Sequence, residues 1–452
     1  MSTTFGQDFS LGVATASYQI EGGVAEGGRG ASIWDTFSHT AGKIYNGDNG
    51  DIACDHYHRW EADLDLMADL GVDAHRLSIA WPRIQADGRG APNPTGLDFY
   101  SRLIDGLMAR GIAPFVTLYH WDLPQALEDG GGWLNRDTAC RFADYADIVA
   151  RKLGDRVAWW ATLNEPWCTA MLGYAAGEHA PGLTSPAAGV KASHHLNLAH
   201  GLAVQALRGR VAGQVGVVLN LHQLYPAGDR DDDLAACARV EAVANWIYTD
   251  PMLRGVYDPL TLETTRSVTD WAFLADGDLD LIHQGLDFVG LNYYSPSWVG
   301  RGGPLTAPNP WPGAIEARWL PAREPLTEMG WTIEPRGLTD LLVTVHQRYP
   351  EVTWLVTENG AAMPDRVVDG YIHDRGRIDY MAAHLRAVEA ARQQGVPVNG
   401  YFAWSLLDNF EWAQGYSKRF GLIWVDYDSQ RRLWKDSAKW YQQLLRTRCL
   451  AD

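Results

Sequence analysis

Val157-Ala158-Trp159-Trp160-Ala161-Thr162-Leu163-Asn164-Glu165-Pro166 is a strand-length, mostly apolar run that stops at an amide, an acid and a proline. A near-continuous apolar strand is one buried on both faces, as in a parallel sheet covered by helices. Seven more such runs recur: Leu11 to Tyr18, Ala74 to Trp81, Ala113 to Tyr119, Val215 to Leu221, Leu286 to Leu291, Val352 to Thr357 and Val398 to Leu407. Between them lie segments with apolar residues three and four apart, such as Leu97, Tyr100, Leu103, Ile104, Leu107 and Met108, and Phe142, Ala146, Val149, Ala150 and Leu153. That spacing gives a helix one buried face. Eight strand–helix units predict an α/β fold, the (β/α)8 barrel.

A doubly wound open sheet would place a glycine-rich phosphate turn and an apolar helix after its first strand. Gly22-Gly23, Gly27-Gly28 and Gly30 follow the first run, but a charged, polar stretch comes next, so they are read as loop. Residues 300–335 are rich in Pro, Gly and Trp without a clear period, and are expected to form a long loop over the site face of the barrel. No linker divides the chain, and a single catalytic barrel over residues 1–452 is expected.

The 452 residues carry 38 Lys and Arg against 55 Asp and Glu, a formal charge of −17. This argues against nucleic acid and anionic membrane as partners and favours a neutral or cationic small molecule. Five cysteines, Cys54, Cys140, Cys168, Cys237 and Cys449, show no metal spacing and no disulfide framework. With no signal-like N-terminus and no membrane-length apolar stretch, a cytoplasmic protein is expected. Tryptophan is over-represented, with 20 against 11 Phe. Phe fills a core without an N–H to satisfy, so the excess implies rings in a cleft or indoles with assigned hydrogen-bond partners.

In such a barrel, polar residues at the C-terminal ends of strands are where catalysis is sought. The fourth run ends Thr162-Leu163-Asn164-Glu165-Pro166 and the seventh Val356-Thr357-Glu358-Asn359-Gly360. Singly, each is also what a strand-ending turn looks like, since Pro, Asn and Gly punctuate loops. Their matching frame at two opposed strand ends marks them as a carboxylate pair. A gap of roughly 5–5.5 Å suits retaining glycoside hydrolysis and roughly 6.5–9.5 Å an inverting reaction; the sequence leaves that distance open.

The chain resembles glycoside hydrolase family 1, the β-glucosidase family, from Phe9 to about Tyr441. The resemblance is carried, in order, by Gly12 through Gly22 (GVATASYQIEG), Tyr119-His120-Trp121-Asp122, Asn164-Glu165-Pro166-Trp167, Asn292-Tyr293-Tyr294, Thr357-Glu358-Asn359-Gly360 and Asn409-Phe410-Glu411-Trp412. Leu11 and Trp354 depart from it at expected packing positions. The resemblance implies a retaining exo-acting β-glucosidase, with β-galactosyl and β-fucosyl residues as further substrates. Glu358 is the implied nucleophile and Glu165 the acid/base. Arg76 and Tyr294 are expected to keep Glu358 ionised, and the charge of Glu358 to raise the pKa of Glu165. Asn292 belongs to the same group.

Gln19, His120, Asn164 and Glu411 are implied to bind the glycone hydroxyls, Trp404 to stack on the ring, and Trp121 and Trp412 to complete the pocket. Trp167, Leu172 and Trp331 are placed at the leaving group. Cys168 is read as packing, and Trp34, Trp60, Trp159 and Trp160 as core. His56 with His58 and His194 with His195 lack two-ligand geometry, so neither metal nor cofactor is expected. Myrosinase-like members lack the acid found here at Glu165. The 6-phospho branch lacks an acid at Glu411, and Lys418 with Arg419 is read as a solvated pair. The expected partners are β-glucosides such as cellobiose or aryl glucosides, with oligomeric state left open. The alternatives are a 6-phospho-β-glycosidase or an inactive sugar-binding barrel.

Overall fold

The computed structural model describes residues 3–303, 305–306 and 308–450. Its centre is a closed barrel of eight parallel strands: β1 (Ser10–Ala14), β2 (Ala74–Ser78), β3 (Ala113–Tyr119), β4 (Trp159–Asn164), β5 (Gln214–Asn220), β6 (Phe288–Asn292), β7 (Trp354–Asn359) and β8 (Val398–Trp404). Consecutive strands are neighbours throughout, and β8 closes on β1 with Ala403 opposite Val13. The chain has the (β/α)8 fold that its alternating pattern predicts.

The helices between the strands include α1 (His56–Leu70), α2 (Pro94–Ala109) and α3 (Asp137–Leu153). The start of α2 is written locally: the Asn93 side chain accepts from the Thr95 amide, and Pro94 occupies the first turn, where its missing N–H costs nothing. Of the periodic residues of α2 and α3, Tyr100, Leu103, Ile104, Leu107, Phe142, Ala146, Val149, Ala150 and Leu153 are buried, Leu97 is partly buried, and Met108 at the end of α2 is exposed.

The barrel interior holds a small core of its own. Phe115 meets Phe288 and Phe402 edge-on at 5.4 Å, among Ala14, Ala74, Ala161, Val218 and Leu355. Gly12 is required here, because a Cβ would lie 2.6 Å from the Phe402 ring and 2.7 Å from the Ala74 carbonyl oxygen. The guanidinium of Arg76 lies 5.8 Å from the Phe115 ring centroid. The barrel is thus packed below and polar above, which places the chemistry at one rim.

β1 and β2 both stop short of the ends of their apolar runs. The first run continues to Tyr18 but the strand stops at Ala14; Ser17–Ile20 is a helical turn. Ala74–Ser78 is likewise followed by the turn Trp81–Ile84. Tyr18 and Trp81 are buried by packing outside the barrel, so hydrophobicity persists after the ladder ends. The glycines 22, 23, 27 and 28 all have positive φ and lie in an irregular loop, as expected.

The segment read as an unpatterned loop is partly sheet. Ala317–Trp319 pairs antiparallel with Ser297–Arg301, which in turn runs parallel to Leu224–Pro226. These strands are only three to five residues long, too short for a period to show. Pro304 and Ala307 lie outside the described residues. No helix is long and apolar enough to cross a membrane among the described residues.

Candidate active site

Both acids leave their strands at irregularities. β4 shifts register against β5 between Ala161 and Asn164, and β7 shifts against β6 between Val356 and Glu358. Such irregularities re-aim side chains where pairing ends. Glu165 has φ of 46°, in the left-handed region, as do Trp121 at 77° and Trp412 at 46°. Three site residues thus hold a conformation that ordinarily favours glycine, a cost the surrounding packing must sustain. Gly360 follows Glu358-Asn359 for a steric reason: a Cβ there would lie 1.8 Å from the Trp404 carbonyl oxygen.

The two acids sit in opposite surroundings. Glu358 receives Arg76 Nη1 on Oε1 at 2.5 Å and the Tyr294 hydroxyl on Oε2 at 2.7 Å. Burial and the adjacent Glu358 hold the Tyr294 phenol well above its ordinary pKa, so it stays a donor. Glu165 has no cation in contact. Asn292 Nδ2 donates to its Oε1 at 2.6 Å and the Cys168 thiol to its Oε2 at 3.1 Å. Its pKa is raised, first by burial and second by the charge of Glu358. Sequence reasoning had the second cause; the larger one is burial.

A relay joins the two. Arg76 Nη2 donates to Asn164 Oδ1 at 2.6 Å, and Asn292 Nδ2 donates to the same oxygen at 3.1 Å. With Oδ1 so committed, Asn164 Nδ2 must donate to His120 Nε2, at 3.1 Å. His120 is therefore neutral with its proton on Nδ1, in keeping with a pKa driven down by burial and by Arg76. Its Nδ1 has no protein partner. Trp121 is fixed by an indole N–H to the Asn164 carbonyl at 2.9 Å.

The acids open onto a cleft of about 690 Å³. Of the residues marked by sequence, Glu165, Glu358, Asn292, Tyr294, His120, Trp121, Trp404, Glu411, Trp412, Trp167, Leu172 and Trp331 line it. Arg76, Asn164 and Gln19 lie in the buried layer behind. Gln19 Nε2 donates to Asn409 Oδ1 at 3.0 Å and to the Phe410 carbonyl at 2.9 Å, leaving buried Oε1 without a protein partner. Trp404 and Trp412 lie nearly parallel to the His120 ring, at 6.0 and 5.9 Å.

Glu411 is partly buried, and its pKa is raised, by desolvation first and then by the charges of Glu358 and Glu165. A phosphorylated sugar would meet this acid and, among the described residues lining the cleft, no Lys or Arg to offset a phosphate. Lys418 donates to the Glu328 carbonyl at 2.7 Å. Arg419, expected to be solvated, pairs with buried Asp408 at 2.7 Å. Asp408 also takes Lys435 Nζ at 2.6 Å and the Gly421 amide at 2.9 Å, which ties down the loop after β8 that carries Glu411.

Sequence reasoning missed several cleft residues. Cys168 touches Glu165 rather than only packing; its place one helical turn after the acid was the available signal. Trp34, read as core, backs Trp412 at 4.5 Å, and His179 packs against both. Trp311 and Trp319, in the Trp-rich segment expected over the site face but not singled out there, also line the cleft, as does His222, which carried no sequence signal. The paired histidines serve structure: His56 meets Asp63 at 2.8 Å, His58 meets Asp55 at 2.6 Å, His194 meets Asp278 at 2.9 Å, and His195 meets the Trp133 carbonyl at 2.8 Å. No cluster of three metal-ligating side chains occurs among the described residues.

A closed barrel with two carboxylates in unequal surroundings at its rim, facing an aromatic cleft, defines a glycoside hydrolase. The chain belongs to glycosyl hydrolase family 1, whose model matches residues 1–449; enzymes of this family are retaining glycosidases. A Bifidobacterium breve protein named bifunctional beta-D-glucosidase/beta-D-fucosidase is 52% identical over 98% of this chain and 99% of its own. Among solved structures, a family 1 β-glucosidase from Thermotoga maritima matches with a TM-score of 0.95 at 45% identity, covering 100% of both chains. A psychrophilic β-glucosidase from Micrococcus antarcticus also gives 0.95, at 46% identity over 99% of this chain and 98% of that one.

Proposed function

We propose that this chain is a retaining exo-β-glucosidase, one catalytic barrel throughout its length, acting on β-glucosides such as cellobiose and aryl glucosides. The observation that carries the reading is the contrast between an Arg76- and Tyr294-bound Glu358 and a buried Glu165 with no cation in contact. Glu358 attacks the anomeric carbon while Glu165 delivers its proton to the departing oxygen. In the resulting glycosyl-enzyme the charge of Glu358 is gone. Glu165 loses one of the two causes that raise its pKa, becomes a stronger acid, and in its ionised form takes a proton from the incoming water. Two inversions give net retention.

Exo action follows from the buried layer behind the acids, where Gln19, His120 and Asn164 close the glycone end. Their unpaired Gln19 Oε1 and His120 Nδ1 are fixed partners for ring hydroxyls, and Trp404 offers its face. The five free thiols support a reducing, cytoplasmic setting.

Incubation with a 2-deoxy-2-fluoro β-glucoside, followed by peptide mass mapping, tests the roles. Label on Glu358 is expected; label elsewhere overturns the assignment. Rates on nitrophenyl β-glucoside, β-galactoside, β-fucoside and 6-phospho-β-glucoside separate the readings. The glucoside is expected to be cleaved and the 6-phospho sugar not. Preference for the phosphorylated substrate, or no turnover on any, refutes the proposal.

A further inference from the structure

In Thr357-Glu358-Asn359-Gly360 the acid and the glycine have their reasons, but Asn359 does not line the cleft. Successive side chains of a strand point to opposite faces. With Glu358 turned into the barrel mouth, Asn359 is turned out, towards the helix Arg375–Gln393 that lies between β7 and β8 in the chain. There it meets two phenols, Tyr380 on that helix and Tyr401 on β8, and all three residues are buried. Buried polar groups persist where their hydrogen bonds are made.

Each proton of this cluster has one destination. The Tyr401 hydroxyl donates to Asn359 Oδ1 at 2.8 Å. Asn359 Nδ2 donates to the Tyr293 carbonyl at 2.7 Å and to the Tyr380 hydroxyl oxygen at 3.1 Å. The Tyr380 proton in turn goes to the Tyr294 carbonyl, at 3.1 Å. Burial holds both phenols well above their ordinary pKa, so neither loses its proton. The Tyr380 ring is itself held, stacked on His384 at 3.9 Å and 25°. The chain of bonds therefore ends on two consecutive carbonyls, those of Tyr293 and Tyr294.

Those carbonyls lie where the sheet gives out. β6 and β7 are paired as far as Asn292 opposite Glu358, and the Tyr293 amide still donates to the Glu358 carbonyl at 3.0 Å. Beyond it the Asn359 and Tyr380 side chains stand in for the ladder. Tyr294 is only half-buried, with its ring 5.5 Å from Trp331 and 6.1 Å from Phe420. Apolar contact is non-directional, so the backbone sets where the Tyr294 hydroxyl meets Glu358 Oε2, at 2.7 Å. Arg76 reaches the other oxygen from β2 and does not depend on this chain of bonds.

We infer that Asn359 and Tyr380 are positioning residues for the nucleophile: from behind the barrel they set the backbone of Tyr294 and thereby the hydrogen bond from its hydroxyl to Glu358. This rests on the reading of Glu358 as nucleophile and adds to it two residues that do not face the cleft. A small misplacement at a reacting group is felt in the rate rather than in affinity.

Inactivation by dinitrophenyl 2-deoxy-2-fluoro β-glucoside reads the attack of Glu358 alone, and is to be measured in the wild type, Tyr380→Phe, Tyr294→Phe and the double variant. Tyr380→Phe keeps the ring on His384 and removes only the hydroxyl. Its inactivation rate constant is expected to fall by about three- to tenfold, less than in Tyr294→Phe, with the dissociation constant of the reagent within about twofold of the wild type. In the double variant the rate constant should match that of Tyr294→Phe to within about 1.5-fold, because the bond that Tyr380 serves is already gone. Tyr401→Phe, which takes the donor from Asn359 Oδ1, should lose about threefold with the same dependence on Tyr294, and it decides if Tyr380→Phe does not fold. Losses that multiply in the double variant, that fall on the dissociation constant alone, or that are absent from Tyr380→Phe overturn the inference. In those cases label on Glu358 leaves the β-glucosidase reading standing, whereas a wild type that the reagent does not inactivate overturns both.

Discussion

On the proposed reading, the catalytic centre of the cleft is built on strand termini, and the leaving-group end on the connections between them. Arg76, Asn164, Asn292 and Glu358 all lie within β2, β4, β6 and β7. They are tied to one another by hydrogen bonds of 2.5 to 3.1 Å. Trp167, Trp311 and Trp319 instead come from the stretch after Glu165 and from residues 300–335, and they meet through ring contacts near 5 Å. Directional bonds on a barrel fix atoms where a reaction needs them, while apolar contact on loops tolerates change. The chemistry is thereby separated from the choice of leaving group.

Substitutions at the strand-built end should therefore act on turnover. The largest effect is expected for Glu358→Gln, which removes the attacking oxygen without altering shape. A loss of kcat/KM of at least about 10⁴-fold on nitrophenyl β-glucoside is expected. Residual activity within about tenfold of the wild type would mean that the carboxylate is not the nucleophile.

Glu165→Gln should cost about 10²–10⁴-fold on substrates whose leaving group needs a proton. Dinitrophenyl β-glucoside needs none, so glycosylation should survive and a burst of dinitrophenolate should precede slow turnover. Loss of the burst would place Glu165 outside proton transfer. Tyr294→Phe should cost less, about 10- to 100-fold, the range of one hydrogen bond to a charged group. A fall confined to KM would assign Tyr294 to ground-state binding instead.

The same division governs what could be read from the sequence. β3 spans Ala113–Tyr119, the bounds of its apolar run, because a doubly buried strand leaves a continuous hydrophobic record. The acids were legible because their motifs sit at strand ends, where a barrel exposes its chemistry. The hydrogen bonds among Arg76, Asn164 and His120 were not, since residues 88 and 44 positions apart are joined only by closure of the barrel. Trp311 and Trp319 lay in a segment expected over the site face but were not singled out, for a different reason: their sheet is too short for periodicity, and nothing local distinguishes a cleft indole from a packed one. Trp34 shows the converse, fully buried and yet the backing of Trp412. The excess of tryptophan thus mixes platforms with the rings that brace them.

Cys168 stands where the two regions meet, and its removal is expected to have the smallest effect. Its thiol lies on the connection after β4 yet donates to Glu165 Oε2 at 3.1 Å, while Asn220 at the end of β5 donates to the sulfur at 3.5 Å. The thiol itself stays protonated, because burial and Glu165 push its pKa up. A donor to a carboxylate favours the ionised form, so this contact offsets part of the rise that burial imposes on Glu165. In Cys168→Val that offset is gone and the Glu165 pKa rises further. The acid form, needed in the free enzyme, then persists to higher pH, and the alkaline limb of kcat/KM should move up by less than about one pH unit. The base form, needed to activate water, is disfavoured by the same change, so kcat on dinitrophenyl β-glucoside should fall, by less than about tenfold. Cys168→Ser restores a donor and should return the limb toward its wild-type position. A limb that moves down in Cys168→Val, or that stays in place while only KM changes, would make Cys168 part of the leaving-group wall and leave Glu165 tuned from the barrel side alone.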